Sequence, residues 1–117
     1  MPRARRLSRG SEIRAMFERG KRSRTAHLDV YDSASPVCRS RVGLVVPRYG
    51  RRIVDRNLLK RRLREILRTE VLPELKARGD QRDVLVRARR EAYGASHGEL
   101  LAELYEWLRR KWPLESS

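Results

Sequence analysis

Arg41-Val42-Gly43-Leu44-Val45-Val46-Pro47-Arg48 is followed, after a short basic loop, by Asp55-Arg56-Asn57-Leu58-Leu59-Lys60-Arg61-Arg62-Leu63-Arg64-Glu65. The first part, Arg41 to Val46, is a β-branched run that suits a central strand, and Pro47 ends it because proline has no amide hydrogen for the ladder. The second lies in a helical stretch from about Ile53 to Leu75, long enough to cross over between parallel strands. Leu59, Leu63, Ile66 and Leu67 fall within an arc of about 100° on this helix, a face that packs on a sheet. Arg56, Lys60, Arg64 and Arg68 recur every four residues, and with Asn57 and Arg61 they fill an adjoining arc of about 140°. Like charges at that spacing cost some tenths of a kcal/mol per pair in an isolated helix, and no acidic residue stands within the arc. A merely solvated face mixes signs; this one points to a polyanion.

On either side the periodicity changes. Asp83 to Ala88 repeats the strand character, and His27 to Asp32 alternates, with Leu28 and Val30 on one face and His27, Asp29 and Tyr31 on the other. Near the start, Ser8 or Ser11 caps a short helix whose Ile13, Met16 and Phe17 share a face, and Gly20 ends it. Asp32 to Ser40 reads as a loop, and Lys21 to Arg24 as a short strand. Ser96-His97-Gly98-Glu99 matches a capping box ahead of a helix with Leu100, Leu101, Leu104 and Leu108 on its apolar face; Trp107 and Trp112 belong to its packing. The expected fold is α+β: one domain over 1–117 with an ordered core of about 7–112, a mixed sheet of about four strands and three helices in the order αβββαβα.

Composition bounds the function. The 117 residues suit one domain, and 29 Lys plus Arg against 15 Asp plus Glu give +14, which calls for an anionic partner. Residues 1–24 and 48–68 each carry nine basic and two acidic side chains, so these two segments hold the whole excess. No apolar run approaches the ~18 residues of a membrane span, and no apolar segment follows the basic start, so a cytoplasmic location is expected. Cys38 alone makes no internal disulfide; with His27 and His97 it makes no zinc spacing, and it reads as an incidental loop thiol. There is no phosphate-binding glycine loop, nucleophile elbow or carboxylate cluster, so no catalytic and no metal-ligating residue is assigned. A structural rRNA-binding protein is the main alternative; a DNA-binding helix-turn-helix module and a metal nuclease fit less well, because the chain lacks a short helix before the basic one and lacks gathered carboxylates.

The strand R-V-G-x-x-V with Arg48 close behind, and the helix motif at Arg56, Asn57, Lys60, Arg61 and Arg64, resemble the protein subunit of bacterial ribonuclease P. The resemblance extends over most of residues 7–108: Phe17 and Gly20 look like the family's V-F-x-x-G, Tyr31 like its groove tyrosine, and Val84 to Arg90 like its last strand and basic exit. It departs at Leu58, which replaces the second Arg of the motif, and at Pro47, Ile13, Asp29 and Glu91. The resemblance implies an RNA-binding subunit that assists a catalytic RNA in removing the 5′ leader from precursor tRNA, with Mg²⁺ bound mainly by the RNA. It implies partners in the catalytic RNA and the precursor tRNA, and none in DNA or membrane. Arg48, Arg51, Arg52, Arg56, Asn57, Lys60, Arg61, Arg64 and Arg68 would dock on the RNA; Ile13, Phe17, Tyr31, Arg89 and Arg90 would line a groove for the leader. It also implies a left-handed βαβ crossover, against the usual right-handed rule.

Overall fold

Residues 6–7, 9–37, 39–79 and 81–111 are described by the computed structural model. Helix α1 (Gly10–Arg19) leads into strands β1 (Lys21–Arg24), β2 (Leu28–Ala34) and β3 (Arg41–Val45). Helix α2 (Ile53–Ile66) then runs through a π-helical turn (Leu67–Val71) into α3 (Leu72–Ala77), followed by β4 (Arg82–Ala88), a 3-10 turn (Arg90–Gly94) and α4 (His97–Lys111). The sheet order is β1-β2-β4-β3, with β2 antiparallel to β1 and β4, and β3 parallel to β4. The expected α+β order is therefore present, and α2–α3 is the crossover between the parallel pair.

Strand β3 differs from its expected central place: it stands at the sheet's edge, and β4 is central. Its run is apolar because both of its faces are covered. Val42 and Val46 enter the main core, while Val45 packs with a second cluster on the opposite face. The edge itself is met by the N-terminal segment, where Arg6 bridges to Val42 and the Leu7 amide donates to the Val42 carbonyl at 2.8 Å. Gly43 permits that approach: a Cβ there would lie 2.5 Å from the Leu7 carbonyl oxygen and 2.7 Å from its Cβ.

Alternation in β2 and β4 divides the sheet into two unequal faces. Leu28, Val30, Val84, Val86 and Ala88 pack with the predicted stripe Leu59, Leu63, Ile66 and Leu67 and with Leu100, Leu104, Trp107 and Leu108 of α4, all buried. Pro73 has no amide hydrogen for an α-helical bond to Thr69, and the chain widens just before it: the Leu72 amide bonds Leu67, five residues back. The turn thereby keeps Val71, Leu72 and Leu75 in the core. The capping box of α4 forms in full, Ser96 N–H to Glu99 at 3.0 Å and Glu99 N–H to Ser96 Oγ at 3.1 Å.

The other face carries a smaller cluster, Leu7, Met16, Tyr31 and Leu85, with Ile13 and Val45 beside it. Helix α1 covers it. Its first residue is Gly10, so Ser11 lies inside the first turn rather than capping it, and Glu12 accepts from the Arg9 amide at 3.3 Å. Gly20 ends α1 at an ordinary negative φ of −70°; a Cβ there would meet the Met16 carbonyl at 2.5 Å, so close packing is what requires glycine. Arg41, buried, ties α1 to the sheet: it donates to Asp83 at 3.0 and 2.7 Å and to Glu12 at 2.5 Å. The roles assigned to Ser8, Cys38 and Trp112 fall outside the described residues. Among those described, no helix is long and apolar enough to cross a membrane.

Candidate nucleic-acid interface

The basic arc of α2 faces outward because the adjoining arc is held in the core. Asn57, Arg61, Arg64 and Arg68 are exposed, and Arg56 and Lys60 are half-buried at the arc's border. Arg56 donates from Nε to the Val46 carbonyl at 2.7 Å, anchoring the helix start to the end of β3. Partial burial and the flanking charges of Arg56 and Arg64 hold the Lys60 pKa below its ordinary value, the repulsion that four-residue spacing implies. The arc is not wholly unrelieved, however. Glu65, just outside it, reaches Arg68 at 2.8 Å; ahead of the arc, at the helix start, Asp55 lies 3.3 Å from Arg52. Both arginines remain exposed enough to exchange these carboxylates for a phosphate.

Ahead of the helix, the loop is latched to the segment after β4. Tyr49, at φ 51°, and Gly50, at φ 78°, form a left-handed corner that costs a bulky residue about 1–2 kcal/mol. Two hydroxyls hold it: Tyr49 donates to the Ala88 carbonyl at 3.1 Å and Tyr93 to the Pro47 carbonyl at 2.6 Å, and the two rings meet edge to face at 6.5 Å. Burial raises the Tyr93 pKa despite the neighbouring Arg56, Arg51 and Arg48, which keeps that hydroxyl a donor. Arg51 lies over the Tyr93 ring and Arg90 over the Tyr49 ring, each guanidinium carbon 5.3 Å from the centroid. Arg48 caps its own loop, Nε to the Arg51 carbonyl at 3.2 Å. Sequence reasoning named the arginines and missed both tyrosines, since their pairing joins segments far apart in the chain.

Between α1 and the open sheet face lies the groove. Ile13, Phe17 and Tyr31 come together there, but in unequal roles. Tyr31 is 7% exposed and forms the floor, whereas Phe17 is 37% exposed and stands edge-on over it at 5.0 Å. The ring open to a ligand is therefore Phe17. Arg87, not named from sequence, has its guanidinium 5.7 Å from the Phe17 centroid. Alternation in β4 was the available signal, since Arg87 shares the Leu85 face. Arg89 and Arg90 are directed elsewhere: Arg89 binds the Thr25 and Ala26 carbonyls at 2.5 and 3.3 Å and Glu91 at 2.6 Å, and Arg90 covers Tyr49. Asp29 is buried on the groove side, yet Arg24, opposite it on exposed β1, and Arg22, diagonal to it, lie 3.4 and 3.6 Å away and offset its charge. Among the described residues no three His, Cys, Asp or Glu side chains gather to hold a metal ion.

Comparison with known proteins identifies the family and the fold. The family model described as Ribonuclease P matches residues 1–112. The ribonuclease P protein component of Desulfovibrio desulfuricans is 36% identical over 116 residues, covering 94% of this chain and 85% of that one. That of Acidothermus cellulolyticus is 37% identical over 114 residues, covering 94% and 90%. The RNase P protein of Staphylococcus aureus superposes with a TM-score of 0.75 at 20% identity over 97% of this chain and 100% of that one, and that of Thermotoga maritima with 0.72 at 24% identity over 95% and 98%, so these share the fold. The chain belongs to the bacterial ribonuclease P protein family, the protein component of the ribonucleoprotein endonuclease that processes the 5′ end of precursor tRNA.

Proposed function

We propose that the two basic surfaces divide the work of this subunit. The α2 arc and the latched loop before it dock on the catalytic ribonuclease P RNA through phosphate contacts and counterion release. The groove between α1 and the sheet holds the single-stranded 5′ leader of precursor tRNA by stacking on Phe17 beside Arg87. The protein thus favours precursor over product and supplies no group to the chemical step. The location is cytoplasmic.

The single observation that carries this reading is the half-exposed Phe17 ring, set on a buried Tyr31 with a guanidinium at its edge, on the sheet face away from the main core. The ring and the guanidinium together offer a ligand both a stacking surface and a positive charge. Mg²⁺, which the family implies, finds no fitting donor set among the described residues: Asp29 is paired with Arg22 and Arg24, Glu12 and Asp83 with Arg41, and Asp32 with Lys111. The ion is accordingly assigned to the RNA, and no step is routed through the protein. The test is the RNA recovered with the protein from its own cells. Ribonuclease P RNA is the expected species; ribosomal RNA alone would favour the ribosomal alternative.

A further inference from the structure

Four large apolar side chains are exposed among the described residues, and three of them stand in the first two turns of the basic helix: Ile53 at 58%, Val54 at 61% and Leu58 at 42%. Val54 and Leu58, four residues apart, form one ridge, and Ile53 precedes Val54 at the helix start. The ridge stands opposite the core stripe of Leu59, Leu63 and Ile66, so the fold makes no use of it. Scattered apolar residues on a surface need no explanation; an apolar ridge beside a one-signed charged arc does.

Charge selects the occupant. Asn57 and Arg61 border the ridge on the side of the basic arc, and Arg62 lies on its other side, with Arg51 and Arg52 in the loop before it; of the carboxylates closest to it, Asp55 lies against Arg52, and Glu65, two turns further along the same face, against Arg68. A second copy would bring the same positive rim against this one, so self-association is disfavoured. A polyanion that also presents apolar surface meets both demands, and folded RNA does so where an unpaired base leaves the stack.

We propose that Val54 and Leu58 form a non-electrostatic contact on the docking face, packing against an unpaired nucleobase of the catalytic RNA while Asn57, Arg61 and Arg64 hold the flanking phosphates. The inference rests on the docking assignment above. It makes the surface bipartite: the cations supply salt-dependent affinity, and the ridge distinguishes a folded RNA with an extruded base from a uniform duplex. Leu58, which stands where the resembled motif carries a cation, exchanges one phosphate contact for this one.

The test uses the full chain with its cognate ribonuclease P RNA, comparing wild type with Leu58→Gln and with Val54→Thr/Leu58→Gln across a salt series. The double variant should bind about tenfold more weakly with an unchanged slope of log affinity against log salt, and Leu58→Met should restore affinity. Both sites are exposed, so an unchanged melting temperature verifies the fold. Unchanged affinity in the double variant would overturn the proposal, as would wild-type dimerisation in sedimentation that the variant abolishes, or a gain in affinity on Leu58→Arg with a steeper slope and no loss on Leu58→Gln. Failure of wild type itself to bind the RNA would instead remove the docking assignment, so the two failures are distinguishable.

Discussion

Single residues in this domain separate into those that make the groove and those that are offered to a ligand, and neighbours differ sharply. Tyr31 is floor and Phe17 is platform. Phe17→Ala should weaken precursor tRNA binding by the assembled enzyme by about 1–3 kcal/mol with little change in melting temperature. Tyr31→Ala should chiefly destabilise the fold, by about 3–5 kcal/mol if its ring behaves like other buried aromatics; thermal denaturation of the two variants checks the contrast. Gly43→Ala should also destabilise, by about 1–3 kcal/mol, because its methyl would collide with Leu7 where the N-terminal segment crosses the edge strand. Which tyrosine face is buried follows from alternation; how deeply is set by Met16 and Leu85, which arrive from α1 and β4, and that depth is not written locally.

At the scale of elements, α2 is a helix with a committed core face and a committed charged face, and the charge pattern was legible because both faces obey one period. The partners of its end residues were less so. Arg68 finds Glu65 and Arg52 finds Asp55 by short-range reach across the arc's boundary, which a strict angular sector leaves out. Arg61→Ala and Arg64→Ala should each reduce the salt slope of RNA binding by about 0.7–0.9, whereas Arg68→Ala, which also frees Glu65, should lose more affinity than its one contact. Lys60 has a lowered pKa, so its charge is lost earlier than usual as pH rises; bound phosphate favours the charged form, and RNA affinity should therefore fall as pH rises toward the ordinary lysine range, less so in Lys60→Arg. Helix α1 is held by the Arg41 clamp. Burial acts to raise the Glu12 pKa, but the Arg9 amide and the Arg41 guanidinium outweigh it, so the carboxyl is held below its usual value. A carboxyl depressed on folding stabilises above its unfolded pKa and loses that contribution as pH falls through the folded one. Wild type should lose stability in acid faster than Glu12→Gln, a difference that pH-dependent melting measures.

For the molecule as a whole, element order and the mixed sheet were readable because each element carries its own period and stops: Pro47 after β3, the Ser96–Glu99 box before α4. The place of β3 was not. A continuous apolar run signals two covered faces, and it says nothing about whether the edge is covered by a strand or by a bridge such as Arg6–Val42. The latch between Tyr49, Tyr93 and their arginines was hidden for the same reason, since it exists only once β4 has crossed back beside β3. The two basic segments thereby contribute to two surfaces: α2 with its loop, and the sheet face beside α1, where Arg22 and Arg24 of the first segment are joined by Arg87 of β4. The measurement that tests this division most directly is the affinity of the reconstituted enzyme for precursor tRNA and for mature tRNA, with wild-type protein and with Phe17→Ala. A loss of about tenfold or more for the precursor alone is the predicted result. Equal loss for both RNAs, or none for either, would contradict the assignment of the groove to the leader.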